Sequence, residues 1–336
     1  MTKGHSSRDS SGPKRRAELV SVVIPHHNGI DILSECLDSL QACSYSPLEV
    51  IVVDNASTDG SARWVRAHHP KVRVVPCEKN LGYAGGCNRG AQEARGTYLL
   101  FLNNDTVHRR DWIDWLVLTL QSDSTVGAVQ PKILNYFERD RFDFAGGSGG
   151  AMDLLCYPFA RGRLFLTLEV DKGQYDDEDR IFWASGTAFL VPRSLFLDAG
   201  GFDEDFFAHQ EEIDLQWRLQ LMGYRVFVAP RSVVYHRNAV TLPMDSPRKK
   251  SVSHPSGLGG CHRCLCRLSG RPGPHLGHPE IRLLDSHSPG YCYPETAQDT
   301  GHQEGERQGH SSRSVQEECC GGLLSVGEEI LLRFGH

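Results

Sequence analysis

The chain has 336 residues, enough for one large α/β unit or two modest domains. Its content of 39% hydrophobic and 23% charged residues is ordinary for a globular protein, and its net charge of -6 argues against general binding to nucleic acid. No apolar run approaches the roughly 18 to 20 residues that span a bilayer, and the basic residues 14–16 precede no signal-peptide core. We therefore expect a cytoplasmic protein without a nucleic-acid partner.

The chain begins with a segment that lacks apolar periodicity. Residues 1–17 are rich in Ser, Gly, Lys and Arg and predict a flexible leader. From residue 18, apolar runs predict strands at 19–24, 50–53, 72–75 and 98–102, and the patterns between them predict helices near 32–41, 57–68 and 86–94. This alternation is typical of an α/β fold with a mostly parallel central sheet and helices on both faces.

A second set of elements continues the same domain to residue 245. We predict a strand at 182–191, a short helix at 193–198 and strands near Val226 and Val233, after a Gly-rich, aromatic and charged segment at 140–179. Residues 213–221 fit both periods, because apolar residues alternate there while the Leu, Gln and Arg content favours a helix. Acidic residues at the start of this segment and Gly223 after it favour the helix.

The composition changes after residue 245. Residues 246–336 contain Pro, Gly, His, Ser and Cys without either period and predict a tail of low order. The group Cys261, His262, Cys264 and Cys266 suggests zinc, but a second correctly spaced pair is missing, so an unstructured tail is the preferred interpretation. The abrupt change also resembles translation out of the original reading frame. The five cysteines before the tail are scattered and are expected to be reduced thiols.

Polar residues follow three of the predicted strands. These segments, at 25–28, 54–60 and 103–106, would meet at one edge, because ligands of an open parallel sheet bind beyond the carboxyl ends of its strands. Asp54 is suited to hydrogen bonding with a nucleobase or with ribose hydroxyl groups. Capping of the next helix is the alternative, and it is preferred for Asp59 but not for Asp54.

Two further segments could meet phosphate groups. Residues 80–86 contain three glycines before a predicted helix, where backbone amides can approach a phosphate, although glycines there are commonly turns. Asp105 ends an apolar run, so its carboxylate would lie at the sheet edge, where a divalent cation bridging two phosphates needs oxygen ligands. The sequence Asn-Asn-Asp-Thr is equally typical of a turn, and the spacing leaves both interpretations open.

Acidic residues crowd together later in the chain. Glu211, Glu212 and Asp214 follow an aromatic and acidic run, and repulsion between adjacent carboxylates raises the pKa of one of them, as general-base catalysis requires. The alternative is a helix N-terminus, where the dipole favours acids, with Asp214 and Arg218 as a surface ion pair. His236 ends a predicted strand, where a lone histidine is more often packed or solvated than a ligand.

In order, these segments resemble the family 2 glycosyltransferases with the GT-A fold, particularly the branch similar to bacterial rhamnosyltransferases of surface-polysaccharide assembly. The resemblance runs from about Leu19 to Leu242. Each fragment is short, but the ordered set is specific. It consists of VVIP at 22–25, VVDNASTDG at 52–60, NLGYAGGCNRG at 80–90, LNNDT at 102–106, GGFDEDFF at 200–207 and EEIDL at 211–215.

The resemblance assigns roles to individual residues. It implies that Asn104-Asp105 stands in the place of the family's DXD motif, that Asp105 binds Mg²⁺ or Mn²⁺, and that His236 lies near the metal and the diphosphate. Glu212 occupies the general-base position, which is usually Asp in the family, and Glu211 remains the alternative base. The residues expected to bind the nucleotide sugar are Pro25, His27, Asn28, Asp54, Asn55, Ser57, Asn80, Gly85, Asn88 and Asn104.

The reaction implied by the resemblance is transfer of a sugar, with rhamnose suggested, from a nucleoside-diphosphate donor to a saccharide or lipid-linked acceptor. It would invert the anomeric configuration, serve cell-surface polysaccharide synthesis and be compatible with peripheral association at the inner face of the cell membrane. A sugar-phosphate nucleotidyltransferase is one alternative, but residues 25–28 lack the Gly-rich, basic phosphate loop it should carry. A catalytically inactive nucleotide-sugar-binding protein is the other.

Overall fold

The computed structural model of the protein describes residues 17–153 and 155–237. The predicted leader, except for its last residue, lies outside these ranges. So do the predicted tail and the zinc candidate within it. The extent of the transferase domain therefore stays a prediction.

Thirteen strands and six helices occur in the described ranges. The strands are β1 (Val20–His26), β2 (Leu48–Asp54), β3 (Arg73–Pro76), β4 (Tyr98–Leu102), β5 (Thr106–His108), β6 (Val126–Asn135), β7 (Gly150–Met152), β8 (Pro158–Ala160), β9 (Arg163–Leu164), β10 (Thr167–Leu168), β11 (Asp179–Ile181), β12 (Ala188–Pro192) and β13 (Arg225–His236). The helices are α1 (Ile30–Gln41), α2 (Ser61–His68), α3 (Gly82–Glu93), α4 (Trp112–Leu120), α5 (Arg193–Asp198) and α6 (Glu211–Leu221), with a short 3₁₀ helix at Glu204–Phe206.

One large sheet organises the fold. Its strand order is β11-β13-β6-β12-β4-β1-β2-β3, and β5 pairs with β13. Strands β3, β2, β1 and β4 are parallel, as are β6 and β13, whereas β12 runs antiparallel between β4 and β6. The predicted α/β fold with a mostly parallel sheet is confirmed. The carboxyl ends of β1, β2 and β4 consequently lie at one edge.

Successive side chains of a strand point to opposite faces of the sheet, and each face has its own apolar core. Val22 of β1 belongs to the core that contains α1, α2 and α4, whereas Val23 belongs to the core with α3, α5 and α6. Helix α3 approaches β1 closely at Gly90, where an added Cβ would lie 2.3 Å from Val23. The helices thus cover both faces of the sheet, as the sequence predicts.

Three predicted boundaries are wrong. Helix α2 begins at Ser61 rather than 57, and α3 begins at Gly82 rather than 86. The strand predicted at 182–191 is confined to β12, because the backbone amides of residues 182–185 donate to the Gly150 carbonyl and to the side chains of Gln216 and Gln130. These side chains and a loop carbonyl take the place of a neighbouring strand.

The ambiguous segment at 213–221 is helical, as predicted, and forms most of α6. The two strands predicted near Val226 and Val233 are one strand, β13, with a register shift between Ala229 and Val233. Helix α4 and strand β6 have no predicted counterpart, because α4 is apolar on most sides and β6 contains the buried polar residues Gln130 and Lys132. No helix within residues 17–237 is long and apolar enough to cross a bilayer.

Candidate active site

Hydrogen bonds join the segments that follow β1 and β2. The Asn28 amide donates to Oγ of Ser57 at 3.1 Å, and Oδ1 of Asn28 accepts from the Thr58 amide at 2.9 Å. Nδ1 of His27 donates to the Asn55 carbonyl at 2.8 Å. The predicted nucleotide-binding residues of the two segments therefore form one connected wall.

Two aspartates shape the second of these segments. Oδ1 of Asp54, which is buried, accepts from the Ser57 amide at 2.9 Å. Asp59 accepts from the amide of Ser61, the first residue of α2, at 3.0 Å and from the Gly29 amide at 2.7 Å. The N-cap residue of α2 is Gly60, which makes no side-chain cap, so Asp59 is not the helix cap but stabilises the turn before it, and Asp54 likewise stabilises its own turn.

His26 connects β1 to the turn after β4. Nδ2 of Asn104 donates to Nδ1 of His26 at 2.8 Å in a buried contact, and Nε2 of His26 has no hydrogen-bond partner within the described chain. Burial lowers the pKa of His26 to about 4 despite the nearby carboxylates, so the ring is neutral. Pro25 precedes it and approaches α3, since a Cβ on Gly86 would lie 3.0 Å from the proline ring.

Asp105 lies beside His236 at the same edge of the sheet. Nε2 of His236 is 3.2 Å from Oδ1 of Asp105, an ion-pair contact whose angles are not those of a hydrogen bond, so this buried oxygen has no hydrogen-bond partner in the described ranges. On the other side of the ring, Nδ1 donates to Oδ1 of Asp143 at 2.9 Å. Asp105 also lies in a turn, because Oγ1 of Thr106 donates to the Asn103 carbonyl at 2.8 Å. The two interpretations of this segment are thus compatible.

The charges of these three residues depend on each other. Burial by itself lowers the pKa of His236, but the carboxylates of Asp105 and Asp143 outweigh it and raise the pKa to about 10. Burial raises the pKa of Asp105, but the cationic ring of His236 outweighs it and holds this pKa below its ordinary value. The result is a buried imidazolium between two carboxylates.

Asp143 was not among the predicted site residues. It follows no predicted strand, so the strand-end argument does not mark it, and it is fully buried in the Gly-rich segment before β7. The only signal in the sequence is an acidic residue between Phe142 and Phe144. A charged side chain inside an aromatic run needs a buried partner, and His236 is that partner.

In the predicted phosphate-binding segment, residues 80–86, backbone amides donate hydrogen bonds to other groups of the protein. The Gly82 amide donates to Oδ1 of Asn80 at 2.8 Å, and the amides of Tyr83 and Ala84 donate to the Phe207 carbonyl at 2.7 and 3.2 Å. Gly82 has a φ of +72°, and an added Cβ would lie 2.2 Å from that carbonyl oxygen. The segment is therefore the first turn of α3 and not a free loop, and a phosphate contact here stays a prediction.

Gly85 and Asn88 also have structural explanations. A Cβ on Gly85 would lie 2.8 Å from Leu81, within the first turn of α3. Oδ1 of Asn88 accepts from the Phe202 amide at 2.9 Å, and its Nδ2 donates to the Phe202 carbonyl and to Glu204, both at 2.9 Å. Because both ends of the Asn88 amide are engaged, the side chain holds the segment before α6 and has no free polar atom for a sugar nucleotide.

Glu211 and Glu212 open helix α6 and are desolvated. Glu211 is 3% exposed, and Oε2 of each glutamate is buried without a hydrogen-bond partner inside the described ranges. Burial raises the pKa of Glu211 well above its ordinary value and the charge of Glu212 adds to this, while burial also raises the pKa of Glu212. Burial raises the pKa of Tyr83, and the charges of both glutamates raise it further. Tyr83 therefore lies close to them.

The segment 184–187 connects these glutamates to the sheet edge. The hydroxyl group of Tyr83 donates to the Gly186 carbonyl at 2.5 Å, and the Asn103 amide donates to the Thr187 carbonyl at 2.9 Å. Gln216 of α6 holds the same segment, because its side chain accepts from the Ala184 amide and donates to the Ala184 carbonyl at 2.9 Å. Segment 184–187 thus joins Tyr83 and helix α6, which begins with the two glutamates, to the sheet edge that carries Asp105.

Arg218 holds α6 against the preceding loop. Its guanidinium donates to Asp214 at 2.7 Å, which confirms the predicted ion pair, and to the Gly201 carbonyl at 2.8 Å. Asp214 is therefore structural, and the acidic cluster divides into a partly buried ion pair and two glutamates, of which Glu211 is buried and Glu212 half-buried.

Known proteins share this architecture and sequence pattern. The family model "Glycosyl transferase family 2" matches residues 21–196, which is more than half of the chain. One relative, the N-acetylglucosaminyl-diphospho-decaprenol L-rhamnosyltransferase of Mycobacterium tuberculosis, is 29% identical over 67% of this chain and 78% of its own. The O-antigen biosynthesis protein RfbC of Myxococcus xanthus is 30% identical over 70% of this chain but 18% of its own.

A solved structure shows the same fold. The crystal structure of GalNAc-T7 with UDP, GalNAc and Mn²⁺ matches with a TM-score of 0.54 and 18% identity, over 66% of this chain and 44% of that one. The predicted GT-A fold is thereby confirmed, and the nucleotidyltransferase alternative loses its support. The chain belongs to glycosyl transferase family 2 and is a glycosyltransferase that uses nucleotide-sugar donors.

Proposed function

We propose that the chain transfers a sugar from a nucleoside diphosphate to a hydroxyl group of a saccharide or lipid-linked acceptor, with inversion and with Mg²⁺ or Mn²⁺. The contact between Asp105 and His236 carries the proposal, because it sets a buried carboxylate 3.2 Å from an imidazole nitrogen at the ligand edge of the sheet. The names of the M. tuberculosis and M. xanthus relatives support rhamnose, a lipid-linked acceptor and a role in cell-surface polysaccharide synthesis.

The side chains at this edge fit a divalent cation. The described ranges contain no group of three or more His, Cys, Asp or Glu residues suited to a metal, so Asp105 and His236 would supply two ligands and phosphates and water the others. Bound there, the cation would neutralise the charge of the departing diphosphate. The hydrogen bond from Nδ1 of His236 to Asp143 fixes the ring with Nε2 towards Asp105, and a bound cation would displace the proton that Nε2 carries between the two carboxylates. The Mn²⁺ in the GalNAc-T7 structure supports a divalent cation as the cofactor.

Glu212 is the proposed base. Burial raises the pKa of both glutamates, which makes either a stronger base than an exposed glutamate. Glu211 is 3% exposed, whereas Glu212 is only half-buried, so Glu212 is the one that an acceptor hydroxyl group can reach. This difference in access favours Glu212 over Glu211.

The reaction follows from these positions. A carboxylate oxygen of Glu212 accepts the proton of the acceptor hydroxyl group, and the acceptor oxygen attacks the anomeric carbon opposite the diphosphate. The bond from that carbon to the diphosphate oxygen breaks, and its electron pair leaves with the nucleoside diphosphate. The connected wall formed by residues 27–28 and 55–58 would hold the nucleotide.

The proposed extent and location follow the same reasoning. We propose residues 18–245 as the transferase domain and the cytoplasm as its compartment, with peripheral contact to the inner face of the membrane where a lipid-linked acceptor resides. Neither the leader nor the tail contributes to the proposed chemistry.

Turnover of donor with and without metal tests the proposal. Hydrolysis and transfer from a panel of nucleoside-diphosphate sugars, dTDP-rhamnose included, would be measured with Mn²⁺ for the wild type, Asp105→Asn and the exposed control Asp31→Asn. We expect Asp105→Asn to lose about a hundredfold or more and the control to lose nothing. Equal rates for the three proteins would refute the metal site. Nucleotide binding by the wild type without any turnover would favour an inactive binding protein.

A further inference from the structure

Two small hairpins expose a group of apolar side chains. The hairpins are β7–β8 and β9–β10, which lie next to each other. Their exposed apolar residues, here called the hairpin tips, are Leu155 (68% exposed), Tyr157 (50%), Phe159 (50%), Leu164 (67%), Phe165 (87%) and Leu166 (77%). Exposed apolar side chains grouped on two neighbouring hairpins, unlike ones scattered singly, indicate a binding surface.

The β9–β10 turn is the most exposed part of this surface. Leu164, Phe165 and Leu166 are consecutive, and Phe165 has a φ of 52°, in the left-handed region that a bulky residue rarely adopts. A turn normally uses Gly, Asn or Asp at such a position. The sequence therefore holds an aromatic side chain in solvent at a conformational cost, which indicates a function outside the folded core.

A cation without a charged partner adjoins the tips. Arg163 immediately precedes Leu164, and its guanidinium lies 4.0 Å from the ring centroid of Phe144. It has neither a hydrogen bond nor an ion pair with any residue in 17–153 or 155–237. Burial lowers the pKa of Arg163, and the carboxylate of Asp143 acts on it in the opposite direction. The guanidinium thus lies within electrostatic reach of Asp143, on a residue that adjoins the hairpin tips.

The surrounding charge favours an anionic ligand. Residues 154–168 include two arginines and no acidic residue, and of the acids that bracket them Asp153 accepts from the Leu155 and Tyr157 amides within its own turn, while Glu169 follows β10. Arg161 donates to the Ser148 carbonyl and to Asp179, but its Nη2 is buried without a hydrogen-bond partner in the described chain. If two copies of the chain paired through this surface, the arginines of one copy would face those of the other. The complementary partner is instead an anion attached to an apolar chain.

We propose that Arg163 and the hairpin tips bind a prenyl diphosphate, the lipid part of the acceptor, with the guanidinium on the diphosphate and the tips on the first prenyl units. This inference rests on the proposed transfer to a lipid-linked acceptor and adds the residues that recognise its lipid. Guanidinium groups bind phosphates through paired N–H donors, and hydrocarbon covers exposed aromatic and leucine side chains. The sugar would then extend towards the sheet edge with Asp105.

Binding to vesicles tests this site without any turnover. The full chain would be floated with vesicles of phosphatidylcholine, of phosphatidylcholine with phosphatidylserine, and of phosphatidylcholine with a long-chain prenyl diphosphate. We expect tightest binding to the third kind, with Arg163→Gln weakening it about tenfold or more and Arg163→Lys weakening it less. The double variant Leu164→Ser, Phe165→Ser should weaken it about a hundredfold.

Leu118→Ser is the matched control, because Leu118 is 57% exposed on α4, outside the hairpins, and its replacement should leave binding unchanged. Circular dichroism would verify that each variant folds. Wild-type binding by Arg163→Gln, or equal binding to phosphatidylserine and prenyl diphosphate vesicles, would overturn the inference. The inference would also be overturned if sedimentation showed that the double variant loses a dimer while its binding to vesicles persists.

The same preparations would be assayed for donor turnover with Mn²⁺. Prenyl diphosphate binding that depends on Arg163, without donor turnover, would refute the proposed function and leave this inference standing. Donor turnover together with unaltered lipid binding by Arg163→Gln would refute this inference and leave the proposed function standing.

Discussion

Replacing each of the two adjacent glutamates by glutamine separates the base from its neighbour. Glu212→Gln removes the proposed proton acceptor at nearly constant size, and Glu211→Gln changes its more deeply buried neighbour, whose pKa burial raises well above the ordinary value. A positioned general base contributes about 10²–10⁴ in rate, which corresponds to roughly 3–5 kcal/mol at about 1.36 kcal/mol for each factor of ten. We expect this loss of kcat from Glu212→Gln and less than about tenfold from Glu211→Gln.

The assay is the initial rate at saturating donor and acceptor, measured as a function of pH. In the wild type, kcat should rise with pH until Glu212 is ionised, and because burial raises the pKa of Glu212 the rise should extend above the ordinary glutamate range. Glu211→Gln should keep this rise and Glu212→Gln should lose it. The assignment is wrong if Glu211→Gln suffers the larger loss of kcat or if the rise survives in Glu212→Gln.

Three further predictions concern the site and its support. Since the pKa of Glu211 is raised in the native state, the free energy of unfolding should fall as pH rises above the ordinary glutamate value, by up to about 1.4 kcal/mol per pH unit, and urea denaturation of Glu211→Gln should lack this contribution. Asp143→Asn should weaken Mn²⁺ binding about 10- to 100-fold by calorimetry, and unchanged affinity would exclude its positioning role. Gly82→Ala, with its Cβ against the Phe207 carbonyl, should lower the melting temperature more than Gly200→Ala, which has open space at a similar φ.

The sequence predicted those helices and strands whose limits are set by residues close together in the chain. Helix α5 matches its predicted range, and the cores of β1 to β4 were predicted from apolar runs bounded by turns. The strand predicted at 182–191 failed because side chains distant in sequence, Gln130 and Gln216, hold residues 184–185 outside the sheet. No window of neighbouring residues contains that information.

In the candidate site, too, some residues were predicted from the sequence and others depend on contacts between distant parts of the chain. The ends of β1, β2 and β4 meet as the sheet topology predicts, and the family resemblance selected Asp105 and His236, which lie in contact. Asp143 escaped because only the folded chain brings it to the ring of His236. The choice between Glu211 and Glu212 required their burial, which two adjacent identical residues do not reveal in sequence.

Strand β12 joins β4 to β6, and so links the two parallel parts of the sheet, late in synthesis. It pairs with β4, yet it begins at Ala188, and β4 ends at Leu102, so a long stretch of chain leaves the ribosome between them. Until then the edge of β4, whose residues 99–102 are all large and apolar, offers unpaired backbone groups to any other strand. We therefore expect nascent chains that stop short of β12 to aggregate, and a chaperone that covers this edge to raise the yield of folded enzyme.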